Sequence, residues 1–259
     1  MDNSKAGSGS EPEIIERSRA YWSQRAKEYS ALHDASRHQE LRDAFRKLLR
    51  GFMPRDKGPH GQRRTRALDV GCGSGFMSLI LAELGCDVTA VDFSRDMLDE
   101  AKRNAARAGA ASIEFVQADV QRLAFEEGSF DMAVSRNVLW VLPDAAAAYA
   151  GAFRALRPGG VLVAFDANYG SAFNAAAAAG PRARASHPKA RTSCASGNAI
   201  VADLPVTRAK RPAWDLAELL DLGATEVHAS GTRSFCRASG RARSSPPRSA
   251  PKSEPFRSS

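Results

Sequence analysis

Asp69-Val70-Gly71-Cys72-Gly73-Ser74-Gly75 is the stretch that decides the fold. Just before it, residues 67–70 form a short apolar run that reads as a strand. Just after it, residues 76–84 carry a helical pattern that stops at Gly85. Glycines between a strand and a helix let the backbone turn tightly and let a ligand approach with no Cβ in the way. The spacing is not that of a dinucleotide fingerprint. GxGxxG would need its third glycine at position 76, which is Phe76. The loop is GxGxG instead, preceded by Asp69.

Working outward, short apolar runs alternate with helical patterns. Strands read at 87–91 (ending at Asp92), 112–116, 130–135 and 160–165. Helices read from a Ser94 cap to about 108, and over 144–156 just after Pro143. This alternation predicts an α/β domain: a doubly wound, mostly parallel sheet with helices on both faces. In such sheets ligands bind beyond the carboxyl ends of the strands. Upstream, residues 13–29 read as a helix with Ile14, Tyr21, Trp22, Ala26 and Tyr29 near one face. A second helix reads over 39–52, with Leu41, Ala44, Phe45, Leu48, Leu49 and Phe52 at helical spacing.

Two carboxylates stand in register with the loop. Asp92, at the end of the second strand, is placed to accept hydrogen bonds from a ribose diol. Asp119, followed by Val120 after the third strand, is placed to accept from the amino group of an adenine. Alone, each is also what a turn or a helix cap requires.

Loop and carboxylates together resemble the class I S-adenosylmethionine-dependent methyltransferases, in particular the small-molecule-like group with an Asp-x-Gly-x-Gly-x-Gly loop. The resemblance covers about residues 66–166. It includes Val91-Asp92-Phe93-Ser94 with Met97-Leu98, Gln117-Ala118-Asp119-Val120, Phe130-Asp131, and Leu156-Arg157-Pro158-Gly159-Gly160. It implies a Rossmann-like sheet and S-adenosyl-L-methionine as cofactor. Carried over, Gly71, Cys72 and Gly73 lie under the methionine and ribose. Asp92 holds the ribose, and Asp119 with Val120 brackets the adenine, with Phe93 and Met97 as apolar neighbours. Asp69 positions the methionine end, and Asn137 faces the methionine portion and the acceptor. Arg136, Trp140, Tyr29 and His33 are candidates to face the acceptor, although core packing or surface exposure is the simpler explanation of each. No catalytic base is assigned. Ser135-Arg136-Asn137-Val138 stands where amino-methylating enzymes of DNA or glutamine carry Asn-Pro-Pro-Tyr, which argues against those acceptors.

The resemblance is weaker at Tyr21-Trp22 through Tyr29, which is similar to the family's leading helix, and at 199–228. Residues 171–198 hold ten alanines and only Phe173 as a large apolar residue, too little to bury a core. Pro212-Ala213-Trp214-Asp215 opens a short helix, and residues 225–228 read as a weak strand. Residues 229–259 contain nine serines, six arginines and four prolines. They read as a disordered tail, with the abrupt loss of pattern of a replaced end or a shifted frame. The expected sheet therefore lacks its seventh strand. The division along the chain is a disordered lead over 1–12 and N-terminal helices and linker over 13–65. The cofactor-binding core follows over 66–168, a low-complexity cap over 169–212, the last helix and weak strand over 213–228, and the basic tail over 229–259.

Charge sharpens the picture. The 259 residues carry a formal net charge of +8, a value that on its own suggests a nucleic-acid or membrane partner. Residues 229–259 contribute +6 of it, and the first 228 residues only +2. The linker cluster Arg63, Arg64 and Arg66 reads as a solvated charge run. No apolar run approaches the ~18 residues of a membrane span. No signal peptide is evident, and the four cysteines have no metal-ligand spacing, so no metal is expected. The expectations are a cytoplasmic enzyme that methylates a small-molecule acceptor, without nucleic acid or membrane as partner. Two alternatives stay open: an RNA or protein acceptor, and a cofactor-binding protein that has lost turnover.

Overall fold

The computed structural model describes residues 11–33, 38–53, 63–167, 204–230 and 233–238. Two helices lead, α1 (Glu11–Leu32) and α2 (Gln39–Phe52). Then come β1 (Arg66–Val70), α3 (Phe76–Glu83), β2 (Asp87–Asp92), α4 (Arg95–Arg107), β3 (Ile113–Gln117), β4 (Phe130–Arg136), α5 (Ala145–Ala155) and β5 (Leu156–Phe165). Two short helices follow, α6 (Pro205–Arg208) and α7 (Ala213–Asp221). The last strands are β6 (Ala224–Ser230) and β7 (Arg233–Ala238).

The strands form one sheet in the order β3-β2-β1-β4-β5-β7-β6. The first five are parallel, and β7 runs antiparallel between β5 and β6. The order reverses between β1 and β4, so the crevice rule puts the site at the carboxyl ends of those two strands. The central strands β1, β4 and β5 are buried along most of their length because both faces are covered. Leu68, Ala133, Leu162 and Ala164 pack with Tyr149 of α5 and Leu219 of α7 on one face. Ala67, Met132, Val134 and Val163 pack with Ile80 of α3 and Leu49 of α2 on the other. Ser94 caps α4, accepting from the Met97 amide, and Asp144 caps α5, accepting from the Ala147 amide.

The expected loss of the seventh strand is corrected. The backbone of residues 233–238 pairs with β5 from Phe165↔Arg233 to Val161↔Arg237, and with β6 on its other side. Ladder hydrogen bonds are made by backbone groups, and the six residues of β7 include no proline. The serines, arginines and prolines that dominate the composition of 229–259 lie mostly beyond residue 238, outside the described residues. Residues 229 and 230 likewise belong to β6 rather than to a tail. The alanine-rich stretch 171–198 lies outside the described residues, but within the expected low-complexity cap residues 204–212 carry α6 and bury Leu204, Val206 and Thr207.

The linker arginines do not form a free charge run. Arg63 and Arg157 both donate to Asp131 Oδ1, at 2.5 and 2.6 Å, and the Arg66 amide donates to Oδ2 at 2.8 Å. Burial would push the Asp131 carboxyl up, but Arg63, the Arg66 amide and Arg157 outweigh it and hold it below the usual range. Arg64 donates to the carbonyls of Gly85 and Cys86. These arginines fasten β1 to the start of β4 and β5, at the end of the sheet opposite the crevice.

Candidate functional site

The glycine loop leaves β1 and turns into α3. Gly71 has a φ of +72°, and a Cβ built there would lie 2.5 Å from Val138 Cγ2. Gly73, at φ +53°, lies under the ring of Tyr29. The Cys72 amide donates to the Val91 carbonyl at 2.9 Å, tying the loop to β2.

Asp92 ends β2 and is 7% exposed. Its Oδ2 accepts from the Gly73 amide and its Oδ1 from the Ser94 amide, both at 2.9 Å. A carboxylate has about four lone-pair sites, so these two bonds leave capacity for further donors. Burial pushes its pKa up to about 6, against the pull of the Ser94 and Gly73 amides. Asp69, on β1, is fully enclosed and accepts from the Ser78 hydroxyl. Burial pushes it up to about 7, and the nearby charge of Asp92 adds to the shift. The Cys72 thiol is pushed well above its ordinary value, first by burial and then by Asp92 and Asp69. It is therefore a neutral packing group.

Asp119 caps the 3-10 turn Val120–Arg122, accepting from the Gln121 amide at 3.0 Å and from the Gln121 side chain. Gln121 in turn accepts from the Asp144 amide at 2.7 Å. Asn137 has a φ of +58°. Its amide donates to the Phe165 carbonyl at 2.9 Å, and its carbonyl accepts from Trp140 Nε1 at 3.1 Å.

The ten residues singled out from the sequence, Asp69, Gly71, Cys72, Gly73, Asp92, Phe93, Met97, Asp119, Val120 and Asn137, all line one pocket at the switch point. Of the four acceptor candidates, Tyr29 and Arg136 line it too. His33 instead stacks on Tyr29 at 4.0 Å between ring centroids, and burial lowers its pKa. Trp140 braces the turn after β4 through its bond to Asn137.

Two contributions escape sequence reasoning. The first is the part of α1 ahead of Tyr29, which covers the pocket with Ile15, Ser18 and Trp22. It is held there by a Ser23–Ser94 hydroxyl pair at 2.9 Å and by Asn104, which donates to the Ser30 hydroxyl and to the Ser74 carbonyl. The helical pattern located the aromatic side of α1, but no periodicity marks Ser18. Its hydroxyl is buried and has no hydrogen-bond partner among the described residues. The second is a buried charge cluster behind the site. Asp166 Oδ2 accepts from the Val138 and Leu139 amides at 3.0 and 2.7 Å. Arg211 bridges Asp166 to Asp215, which also accepts from the Tyr149 hydroxyl at 2.8 Å. Asp166 thus holds the turn that presses Val138 against Gly71. Burial pushes Asp166 up to about 6, opposed by the charge of Arg211 and by the amides.

Comparison with known proteins supplies independent context. Residues 68–164 match a family model described as a methyltransferase domain. The chain is 34% identical over 125 residues to a malonyl-[acyl-carrier protein] O-methyltransferase of Enterobacter lignolyticus, covering 48% of this chain and 45% of the relative. It is 33% identical over 143 residues to a ubiquinone biosynthesis O-methyltransferase of Methylocella silvestris, covering 54% and 56%. The chain thus spans about half the length of the curated relatives it matches. Among solved structures, a possible exported protein from Bordetella parapertussis has a TM-score of 0.53 at 22% identity, over 77% of this chain and 67% of that one, and shares the fold. No helix among the described residues is long and apolar enough to cross a membrane.

Proposed function

We propose that this chain, which carries a class I S-adenosylmethionine-dependent methyltransferase domain, transfers a methyl group from S-adenosylmethionine to a small-molecule acceptor. One observation carries the reading. The glycine loop and the Asp92 carboxylate are joined by a hydrogen bond within a pocket that also collects Asp119, Asn137 and an apolar shelf.

The residues present fit the cofactor. Asp92 keeps acceptor capacity toward the pocket for a ribose diol, and Phe93, Met97, Val120 and Leu142 offer apolar surface for a base. The buried Ser18 hydroxyl, which has no hydrogen-bond partner among the described residues, supplies one more polar contact. When bound, S-adenosylmethionine supplies a methyl group already activated on a sulfonium, whose departure leaves a neutral thioether. The chain's task is then alignment and exclusion of water. Alignment alone contributes up to about 7–11 kcal/mol in favourable cases. Asp69 and Asn137 border the methionine end, α1 closes the pocket from above, and Arg136 stands at the side open to an acceptor. The name of the ubiquinone biosynthesis O-methyltransferase relative supports a small-molecule acceptor.

The test is calorimetry on the full chain with S-adenosylmethionine, S-adenosylhomocysteine and NAD. Binding of the first two without the third is expected. Folded protein that binds neither sulfur compound overturns the reading. Release of S-adenosylhomocysteine during an acceptor screen then separates an enzyme from a binding protein without turnover.

A further inference from the structure

A second cavity of about 850 Å3 opens beside the first and shares Arg136 and Asn137 with it. Its walls are mostly apolar: Leu41, Phe45, Leu48 and Phe52 of α2, and Phe165 at the end of β5. Leu41, at 41% exposed, adds apolar surface at the rim. At the junction of the two cavities stands Arg136, the last residue of β4. Its guanidinium lies over the Phe76 ring at 4.6 Å and the Phe45 ring at 5.5 Å. It makes no ion pair among the described residues. Lys47 adds a second cation at the rim. The carboxylate in the lining, Asp166, is already committed to Arg211 and to three backbone amides.

We infer that this cavity takes the methyl acceptor, and that the acceptor is an amphipathic anion: an apolar body seated against α2, with a carboxylate or phosphate held by Arg136. The inference rests on the proposed methyl transfer, because it takes the junction of the two cavities as the place where acceptor and cofactor meet. The physical reason for the class is complementarity. A guanidinium lying over two rings that meet edge to face presents its donors as a planar fork, the geometry that matches a planar carboxylate or a phosphate. The apolar walls gain by covering surface, and a neutral or cationic head leaves Arg136 unmatched in a partly buried place.

The experiment uses the full chain saturated with S-adenosylhomocysteine and four eight-carbon probes: octanoate, octyl phosphate, octanol and octyltrimethylammonium. Affinities are read by ligand-observed NMR. At least one anion is expected to bind about tenfold or more tightly than octanol, the effect of one or two charge-assisted bonds. The cation is expected not to compete. The tighter anion identifies the head group. Arg136→Met is expected to reduce the anions to the affinity of octanol, and Ala44→Trp, which fills the groove from α2, to remove binding of the anions and of octanol alike. Octanol binding as tightly as both anions overturns the inference, and that outcome requires no variant to fold. So does the absence of any probe binding to chain that binds S-adenosylhomocysteine normally, including the case in which another segment of the chain fills the cavity. Absence of S-adenosylhomocysteine binding itself strikes the parent reading instead.

Discussion

The Gly73 amide donates to Asp92 Oδ2 across 2.9 Å, so one carboxylate both shapes the glycine loop and faces the pocket. Asp92→Ala therefore removes a pocket acceptor and the anchor of the loop together. S-adenosylhomocysteine affinity is expected to fall tenfold or more, the loss of one or two charge-assisted bonds of about 1.5–3 kcal/mol each. Calorimetry on folded protein decides it, and an unchanged dissociation constant removes Asp92 from the site.

The same carboxylate sets a pH dependence. Burial raises Asp92 to about 6 from an ordinary 3.8, so the ligand-free folded chain holds this proton more tightly than the unfolded chain does. The stability contributed by that raised value is present at low pH and is lost as pH rises through about 6. Asp69, raised to about 7, acts in the same direction. Hydroxyl donors prefer the ionised carboxylate, so binding runs the opposite way. Affinity for S-adenosylhomocysteine is expected to weaken as pH drops from 7.5 to 5, by at most tenfold per unit for each proton taken up. Asp92→Asn is expected to lose the part of this dependence centred near 6. A flat profile in the unmodified chain contradicts the assignment.

Much of this was legible beforehand because the informative signals are local. The loop, the strand-end carboxylates and the strand–helix alternation each occupy a few consecutive residues, and a doubly wound sheet brings strand ends together by topology alone. What escaped depends on contacts distant in sequence. Ser18 matters because α1 folds over residues some 70 positions away, and its own surroundings look like any helical serine. Asp166, Arg211 and Asp215 look like ordinary surface charges until β5 and α7 bury them side by side. The seventh strand was hidden by averaging: six residues able to pair sit at the head of a stretch whose serines and prolines dominate its composition.

Gly71 is constrained on two counts, its φ of +72° and the close approach of Val138. Gly71→Ala forces an L-residue into the left-handed region, at about 1–2 kcal/mol. It also overpacks against a branched side chain with no far end to swing away, at about 1–3 kcal/mol more. A loss of about 2–5 kcal/mol in urea unfolding is expected, with cofactor affinity reduced in whatever protein remains folded. Trimming the neighbour tests the cause. Val138→Ala in the Gly71→Ala background is expected to recover the packing part and leave the backbone part.

Ser18 offers a test with opposite signs on two axes. Its hydroxyl is buried against the pocket without a partner among the described residues, an arrangement that costs about 1–3 kcal/mol unless a ligand satisfies it. Ser18→Ala is expected to leave the ligand-free chain equally or more stable to heat, and to weaken S-adenosylhomocysteine binding several-fold. A variant that loses stability and keeps its affinity would mark Ser18 as a structural hydroxyl of α1.

The buried charge cluster is a support of the site rather than a part of it. The Arg211 side chain is 6% exposed and stands between two carboxylates that are each 2% exposed. Arg211→Met leaves Asp166 and Asp215 buried without their shared cation, for which a cost of about 3–5 kcal/mol is expected. The sign with pH follows from the same charges. Asp166 is already raised to about 6, and losing Arg211 raises it further, so its protonation relieves the variant as pH falls. The deficit in urea unfolding is expected to be largest near pH 7.5 and to shrink toward pH 5. Adding Asp215→Asn is expected to recover part of it by removing one unmatched charge while keeping an acceptor for Tyr149. The pocket at the switch point should respond as well. The Val138 and Leu139 amides hang on Asp166, and a loosened turn after β4 releases its pressure on Gly71. A deficit below about 1 kcal/mol that does not vary with pH would show that the cluster neither stabilises the chain nor holds that turn.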